Sequence, residues 1–283
     1  MVVFDGFGFL GFWIALARSK MGKPCTLVCV PGFPDTKESI QRKEHAQKQP
    51  GLRWVQTGEY SQVAKASLAH SPDAGTVNLV FPGTLPDALP CMEELVEAFR
   101  DVHRIRVLLL SSILQKGNPA FANFFAACRK NGVFCSQYLF FEVYGPWEDS
   151  DSTLSCWARA LQDEQTIPIS ANPSASRDWT YVEDLASVCA GFPEHRFQKE
   201  FTACWELGTG VATRDLNAIH KLDGVLNGVA RVVLSPELPP VFPEDKVASG
   251  KTFKKASGLT FRTPFSTGLK HWANFFLLQK PTP

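Results

Sequence analysis

Three glycines near the start of the chain carry the clearest chemical signal. Gly6-Phe7-Gly8-Phe9-Leu10-Gly11 fits G-x-G-x-x-G, directly after the apolar run Val2 to Phe4 and directly before a helical stretch, Phe12 to Lys20. Glycines at this spacing allow a tight turn and close backbone approach, and the helix N-terminus behind them offers N–H groups to an anionic pyrophosphate. That chemistry predicts a nucleotide-cofactor site built from Gly6, Gly8, Phe9, Leu10 and Gly11. A glycine turn that only packs a helix on a strand would read the same way. Asp5 places a carboxylate in the turn, a like-charge penalty for phosphate unless it points away.

Other reactive side chains lie further along. Lys116 follows Ser112 by four residues and could supply a cation or a base; a solvated loop lysine is the simpler reading. Ser112 is not a nucleophile on its own, because no G-x-S-x-G elbow surrounds it. Glu142 and Tyr144 share one strand face by period-two spacing, so they could converge on a pocket. The six histidines are dispersed, and the eight cysteines are scattered with no C-x-x-C pair, so no metal site is expected. The cysteines read as reduced, core-filling thiols of a cytoplasmic protein.

The elements that must hold these residues alternate. Strand-like runs at Val2 to Phe4, Thr26 to Val30, Arg53 to Gln56, Val77 to Phe81, Val107 to Leu110 and Phe134 to Phe141 are interleaved with helix-like stretches, among them Pro90 to Arg100 and Asn118 to Asn131. Buried strands separated by helices predict an α/β protein with a doubly wound parallel sheet. The second half changes texture: Trp147 to Gln165 and Ser266 to Leu278 read as helices, and Ser235 to Gly250, rich in proline and charge, reads as a surface connection. Residues 1–146 are expected to form the dinucleotide-binding domain. Residues 147–283 are expected to form a smaller substrate lobe, with some segments returning to the sheet.

Composition narrows the function. Of 283 residues, 45% are hydrophobic and 20% charged, a globular balance, and the 29 basic and 28 acidic residues leave a net charge of +1. A nucleic-acid binder needs a concentrated basic field, so no nucleic-acid partner is expected. No apolar run approaches the roughly 18 residues of a membrane span, and no signal peptide is expected.

Motifs in order along the whole chain resemble the extended short-chain dehydrogenase/reductases, and among them the NAD-dependent nucleotide-sugar epimerases, dehydratases and decarboxylases. Phe4-Asp5-Gly6-Phe7-Gly8-Phe9-Leu10-Gly11 resembles T-G-G-x-G-F-I-G, and Ser111-Ser112 resembles the family's Ser-Ser. Phe141-Glu142-Val143-Tyr144-Gly145-Pro146 is similar to F-N-V-Y-G-P. Ser176 to Asp184 is similar to T-R-D-F-x-Y-V-x-D, and Leu207-Gly208-Thr209-Gly210 to I-G-T-G. The resemblance implies a Rossmann-like sheet with a smaller carboxy-terminal substrate lobe, an NAD or NADP cofactor, a small-molecule substrate and a homodimer. It also implies that Gln41 to His45 approach the adenosine, that Ser112 sits near the reactive end of the cofactor, and that Arg177 clamps a substrate diphosphate. Pairing of Arg177 with Asp178 or Asp184 is the competing reading.

The departures from the family bear on chemistry. Its Tyr-x-x-x-Lys pair, in which a tyrosinate acts as base and a lysine lowers its pKa, is absent from the sequence. On alignment the tyrosine position is Ala120 or Phe121, and the lysine position Phe124 or Phe125. The acidic residue expected to meet an adenosine ribose is Cys29, while Lys37, Arg42 and Lys43 could receive a 2′-phosphate, favouring NADP. Pro82 and Gly83 replace part of another cofactor-side turn, and Glu142 replaces an asparagine that touches the nucleotide sugar. Phe9, Phe81, Phe121, Phe124 and Phe140 fall at or near positions that line the site, predicting a more apolar pocket, with Phe81 and Phe140 on the substrate side. The sequence therefore points to an enzyme with an altered site, using Ser112, Glu142 or Tyr144 in place of the missing pair. A catalytically inactive cofactor-sensing or regulatory subunit, and an enzyme reusing the pocket for non-redox cyclisation, elimination or isomerisation, are the alternatives.

Overall fold

The computed structural model describes residues 1–29, 36–57, 59, 61–65, 76–82, 92–99, 104–172, 176–192, 202–237, 247–248, 253–254 and 258–278. The chain divides into two compact units: Met1–Phe140 with Ala186–Glu206 and Thr252–Leu259, and Phe141–Leu185 with Leu207–Lys251 and Thr260–Pro283.

In the first unit the elements run β1 (Val2–Phe4), α1 (Phe9–Lys20), β2 (Cys25–Cys29), α2 (Lys37–Gln47), β3 (Leu52–Gln56), β4 (Thr76–Phe81), α3 (Met92–Ala98), β5 (Arg104–Ser112), α4 (Pro119–Lys130) and β6 (Phe134–Phe140). The second unit begins with β7 (Glu142–Tyr144), α5 (Thr153–Gln162), β8 (Thr166–Ser170) and β9 (Ser176–Tyr181). Helix α6 (Val182–Ala190) leads out of it, and β10 (Thr202–Leu207) returns to the first sheet. Strand β11 (Ala212–Arg214), α7 (Asp215–Leu226), β12 (Arg231–Ser235) and α8 (Phe265–Leu278) complete the chain.

The first unit is a seven-stranded sheet in the order β10-β6-β5-β4-β1-β2-β3. Every pairing from β6 through β3 is parallel, with Val2 opposite Thr26 on one side and Leu79 on the other. This is the doubly wound order, and the sequence in which strands are added reverses between β1 and β4, where such sheets bind ligands at the carboxyl ends of their strands. One face of the sheet is sealed by Phe4, Leu79, Phe81, Val107, Leu109 and Cys135. Phe4 and Phe81 stack at 4.3 Å. Helix α4 covers this face because its apolar residues recur at helical spacing: Phe121, Phe124 and Cys128 are buried. Its start is fixed by Pro119 in the first turn and by Asn118, whose side chain accepts from Ala120 N at 2.9 Å.

The second unit holds a three-stranded sheet, β11-β9-β7, and the parallel pair β8 and β12. Strand β7 lies parallel to β9, and β11 antiparallel to it. Its core gathers Tyr144, Leu154, Trp157, Leu161, Trp179, Tyr181, Ile219, Leu222 and Trp272. The helix expected from Trp147 starts later, at Thr153, because Trp147 takes a left-handed turn with φ 68° and Ser152 caps the helix by accepting from Ser155 N. The Ser235–Gly250 connection lies largely outside the described residues.

Candidate functional site

The glycine loop is a site of close approaches. None of Gly6, Gly8 and Gly11 has a positive φ; the left-handed residue of the turn is Asp5, with φ 48°. A Cβ on Gly6 would come 2.7 Å from the Leu27 Cβ, one on Gly8 would collide with the Asp5 carboxylate, and one on Gly11 with the Asp5 carbonyl. The glycines are thus required by contact, not by dihedral freedom. Behind them α1 is capped by Gly8, which has no side chain, and has no acidic residue in its first turn; the nearest negative charge is the Asp5 carboxylate, packed against Gly8.

The loop is held from α2. Arg42 is buried and donates its Nε–H to the Phe7 carbonyl at 2.7 Å. Lys43 lies over the Trp54 ring at 4.8 Å and over Phe7 at 6.0 Å. Two of the three cations expected to receive a 2′-phosphate are therefore already engaged, and only Lys37 of the three is exposed. Cys29 ends β2 half-buried and Pro82 follows β4 buried; Gly83 lies outside the described residues. Phe9 and Leu10 are half-buried in the first turn of α1.

Ser112 ends β5 at the carboxyl edge of the same sheet. It is half-buried, and its Oγ accepts from Leu114 N at 3.3 Å, capping the turn at Ile113–Gln115. Its neighbour Ser111 is fully buried and bonded to Gln137 at 2.8 Å. Lys116, just beyond, pairs with Glu206 at 2.7 Å, and that hydrogen bond raises the lysine above its ordinary pKa. It serves as a held cation, since a base would need the opposite shift.

The expected apolar lining is corrected in three places. Phe81, Phe121 and Phe124 point into the core of the sheet, while Phe9 and Phe140 remain half-buried. Phe121 and Phe124 are held there by the amphipathic pattern of α4, so those two apolar replacements of the Tyr/Lys positions build core.

In the second unit Glu142 and Tyr144 part company. Tyr144 is 1% exposed, and its hydroxyl donates to the Phe265 carbonyl at 3.1 Å. Burial drives its pKa far upward, and the ring is walled by Trp179, Tyr181 and Phe265. A phenol so placed packs; it does not take protons at neutral pH. Glu142 stays half-buried and turns to Arg177, at 3.1 Å.

Arg177 is itself buried and meets neither Asp178 nor Asp184. Its Nε and Nη2 donate to the two oxygens of Asp215 at 2.9 and 3.2 Å, and Nη1 donates to Glu142 and, at 3.0 Å, to Thr153. Its guanidinium lies over Trp157 and Trp179 at 5.3 and 5.5 Å. Burial works to lower its pKa, but Glu142 and Asp215 outweigh that and raise it. Asp178 instead accepts from Thr209 N, Gly210 N and Ala248 N at 2.9, 2.9 and 3.0 Å, and from Thr209 Oγ1 at 2.6 Å. Asp184 holds Arg262 N and Thr263 N. Asp215 and Thr153 escape a sequence reading because they meet Arg177 across 38 and 24 residues. A further residue missed in the sequence is Glu148. It is buried and accepts from Gly145 N, Ser152 Oγ and Ser155 Oγ at 3.2, 2.5 and 2.9 Å, and burial pushes its carboxyl up to about 7.

Among the described residues no cluster of three or more His, Cys, Asp or Glu could hold a metal ion, and no helix is long and apolar enough to cross a membrane.

Residues 123–201 match the family described as "NAD dependent epimerase/dehydratase family". The fold matches UDP-glucuronic acid 4-epimerase from Bacillus cereus, solved with a fluorinated UDP-sugar and NAD, at TM-score 0.80 and 12% identity, over 99% of each chain. It also matches UDP-N-acetylglucosamine 4-epimerase from Methanobrevibacter ruminantium at TM-score 0.77 and 14% identity, over 99% of this chain and 98% of that one. UDP-glucose 4-epimerase from Thermotoga maritima matches at 0.74 and 12%, over 98% of each. A curated relative, an uncharacterised 37.6 kDa protein in the cld 5′ region of Escherichia coli O111:H-, is 22% identical over 159 residues, 51% of this chain. That match spans about half the length of the relative, 48%. The resemblance read from the motifs thus recurs in the family match and in the solved structures, whose Rossmann-like fold this chain shares.

Proposed function

We propose that this chain is an NAD(P)-binding epimerase/dehydratase-like protein with an altered active site, acting on a nucleotide sugar or another small metabolite without a Tyr/Lys pair. The observation that carries it is the glycine loop: three glycines demanded by close contact, an α1 amino end with no side-chain cap, and a buried Arg42 bracing the turn. These residues fit a dinucleotide, because N–H groups at a helix start complement a pyrophosphate. Gly6, Gly8, Phe9, Leu10 and Gly11 would hold it, with Cys29 and Pro82 flanking. When bound, a nicotinamide cofactor supplies reversible hydride transfer at a substrate carbon. Ser112 would offer its hydroxyl to a substrate oxygen. NADP in preference to NAD now rests on Lys37 alone.

One observation favours a second reading, a cofactor-sensing subunit: Phe121 and Phe124 are built into the core. The experiment that separates the two is mass spectrometry of small molecules released on denaturing the purified chain, followed by incubation with UDP-sugars. Bound NAD or NADP together with sugar conversion supports the enzyme; bound cofactor without conversion of any sugar supports the sensor. No nucleotide and no conversion contradicts both. A homodimer belongs to the same proposal and is read by sedimentation. A reducing, cytoplasmic setting, in which the described cysteines stay thiols, belongs to the same proposal.

A further inference from the structure

A guanidinium recognises phosphate through its two-pronged edge, and an edge already filled by carboxylates has nothing left to offer. Around Arg177 that edge is full: Asp215 takes Nε and Nη2, and Glu142 and Thr153 take Nη1. The formal charge of the cluster is one cation against two carboxylates. Among the described residues neither carboxylate is ion-paired to any other cation. The side chains of Arg177 and Asp215 are 7% and 9% exposed, whereas Glu142 is 20% exposed. The outward-facing member of the cluster is therefore anionic, and its Oε1 has no hydrogen-bond partner among the described residues.

We propose that Glu142 and Asp215 determine specificity in the second unit: they act as built-in counter-anions that close Arg177 to phosphate, so that the group read beside Glu142 is uncharged and hydroxyl-bearing. This rests on the proposed small-molecule function and narrows its substrate class. An incoming phosphate would have to displace Glu142 from Arg177 while facing a net negative cluster. A hydroxyl group would instead donate to Glu142 and leave the ion pairs in place.

The test is calorimetric titration of the full chain with inorganic pyrophosphate and, separately, UDP. Glu142→Gln and Asp215→Asn are compared with wild type, each with and without Arg177→Lys. Every variant keeps the glycine loop, so differences across the Arg177 pair cancel any pyrophosphate bound there, and the comparison stands whether or not the chain binds NAD. Wild type is expected to bind pyrophosphate no better than Arg177→Lys. Glu142→Gln is expected to gain at least tenfold in affinity, and the gain is expected to vanish in Glu142→Gln/Arg177→Lys. Asp215→Asn provides the same readout should Glu142→Gln fail to fold. Wild-type binding that Arg177→Lys weakens tenfold overturns the proposal, as does a folded neutral variant that gains nothing.

Discussion

The buried guanidinium of Arg42 reaches back 35 residues to donate its Nε–H to the Phe7 carbonyl at 2.7 Å. The bond ties the body of α2 to the middle of the glycine loop. A cation so placed braces the loop from behind, with its Nε committed to that carbonyl.

Replacing it tests that role. Arg42→Met keeps the apolar stem and removes a charged hydrogen bond, which corresponds to about 2 kcal/mol of stability. Urea unfolding is expected to show that loss, and NAD⁺ affinity is expected to fall about tenfold because the loop loses its brace. An unchanged loop affinity would place Arg42 outside the site.

Asp5 works in the opposite direction. Its carboxylate lies against Gly8, beside the amino end of α1, where a negative charge competes with a ligand phosphate. Asp5→Asn tolerates the left-handed turn and removes the charge. Calorimetry is expected to show NAD⁺ binding about fivefold tighter in the variant, a difference of roughly 1 kcal/mol; weaker binding would mean that the carboxylate organises the loop.

Glu148 makes a pH signature. Its carboxyl is near 4.5 when solvated and about 7 in the folded chain, with burial as the main cause. Between those values the native state holds a proton that the unfolded state has lost. Its contribution to stability is therefore full below pH 4.5 and is lost as pH rises through 7. The stability of wild type relative to Glu148→Gln is expected to fall by roughly 3 kcal/mol from pH 4.5 to 8. A relative rise over that interval would reverse the sign and refute the burial assignment.

Asp178 anchors the turn after β10 by accepting from three backbone N–H groups and one hydroxyl. Asp178→Ala removes the shared acceptor of a part-buried turn and leaves the buried Ala248 N–H unpaired, and is expected to cost about 2 to 3 kcal/mol, visible as a lowered melting temperature. A melting curve that matches wild type would show that water replaces the carboxylate.

The sheet was legible in the sequence because its strands are continuous apolar runs and its helices carry apolar residues three and four apart. Phe121, Phe124 and Cys128 show the pattern, and it recurs in α5 at Leu154, Trp157, Ala158 and Leu161. The glycine loop was legible as a motif, but not the reason for each glycine, which lies in contacts with Asp5 and Leu27. The partners of Arg177 were not legible. Nothing local distinguishes Asp215 from Asp178, and only the pairing of β7, β9 and β11 selects between them. Tyr144 misled for the same reason: period two gives the face of a strand, and the fold decides whether that face is a pocket or a core.

The most direct test is titration calorimetry of the folded full chain with NAD⁺ and NADP⁺. A dissociation constant in the micromolar range or tighter, about −8 kcal/mol or better, is the expected result for at least one of them. Gly8→Val, which crowds the Asp5 carboxylate, is expected to abolish it. No detectable binding of either nucleotide by wild type would contradict a dinucleotide site at the glycine loop.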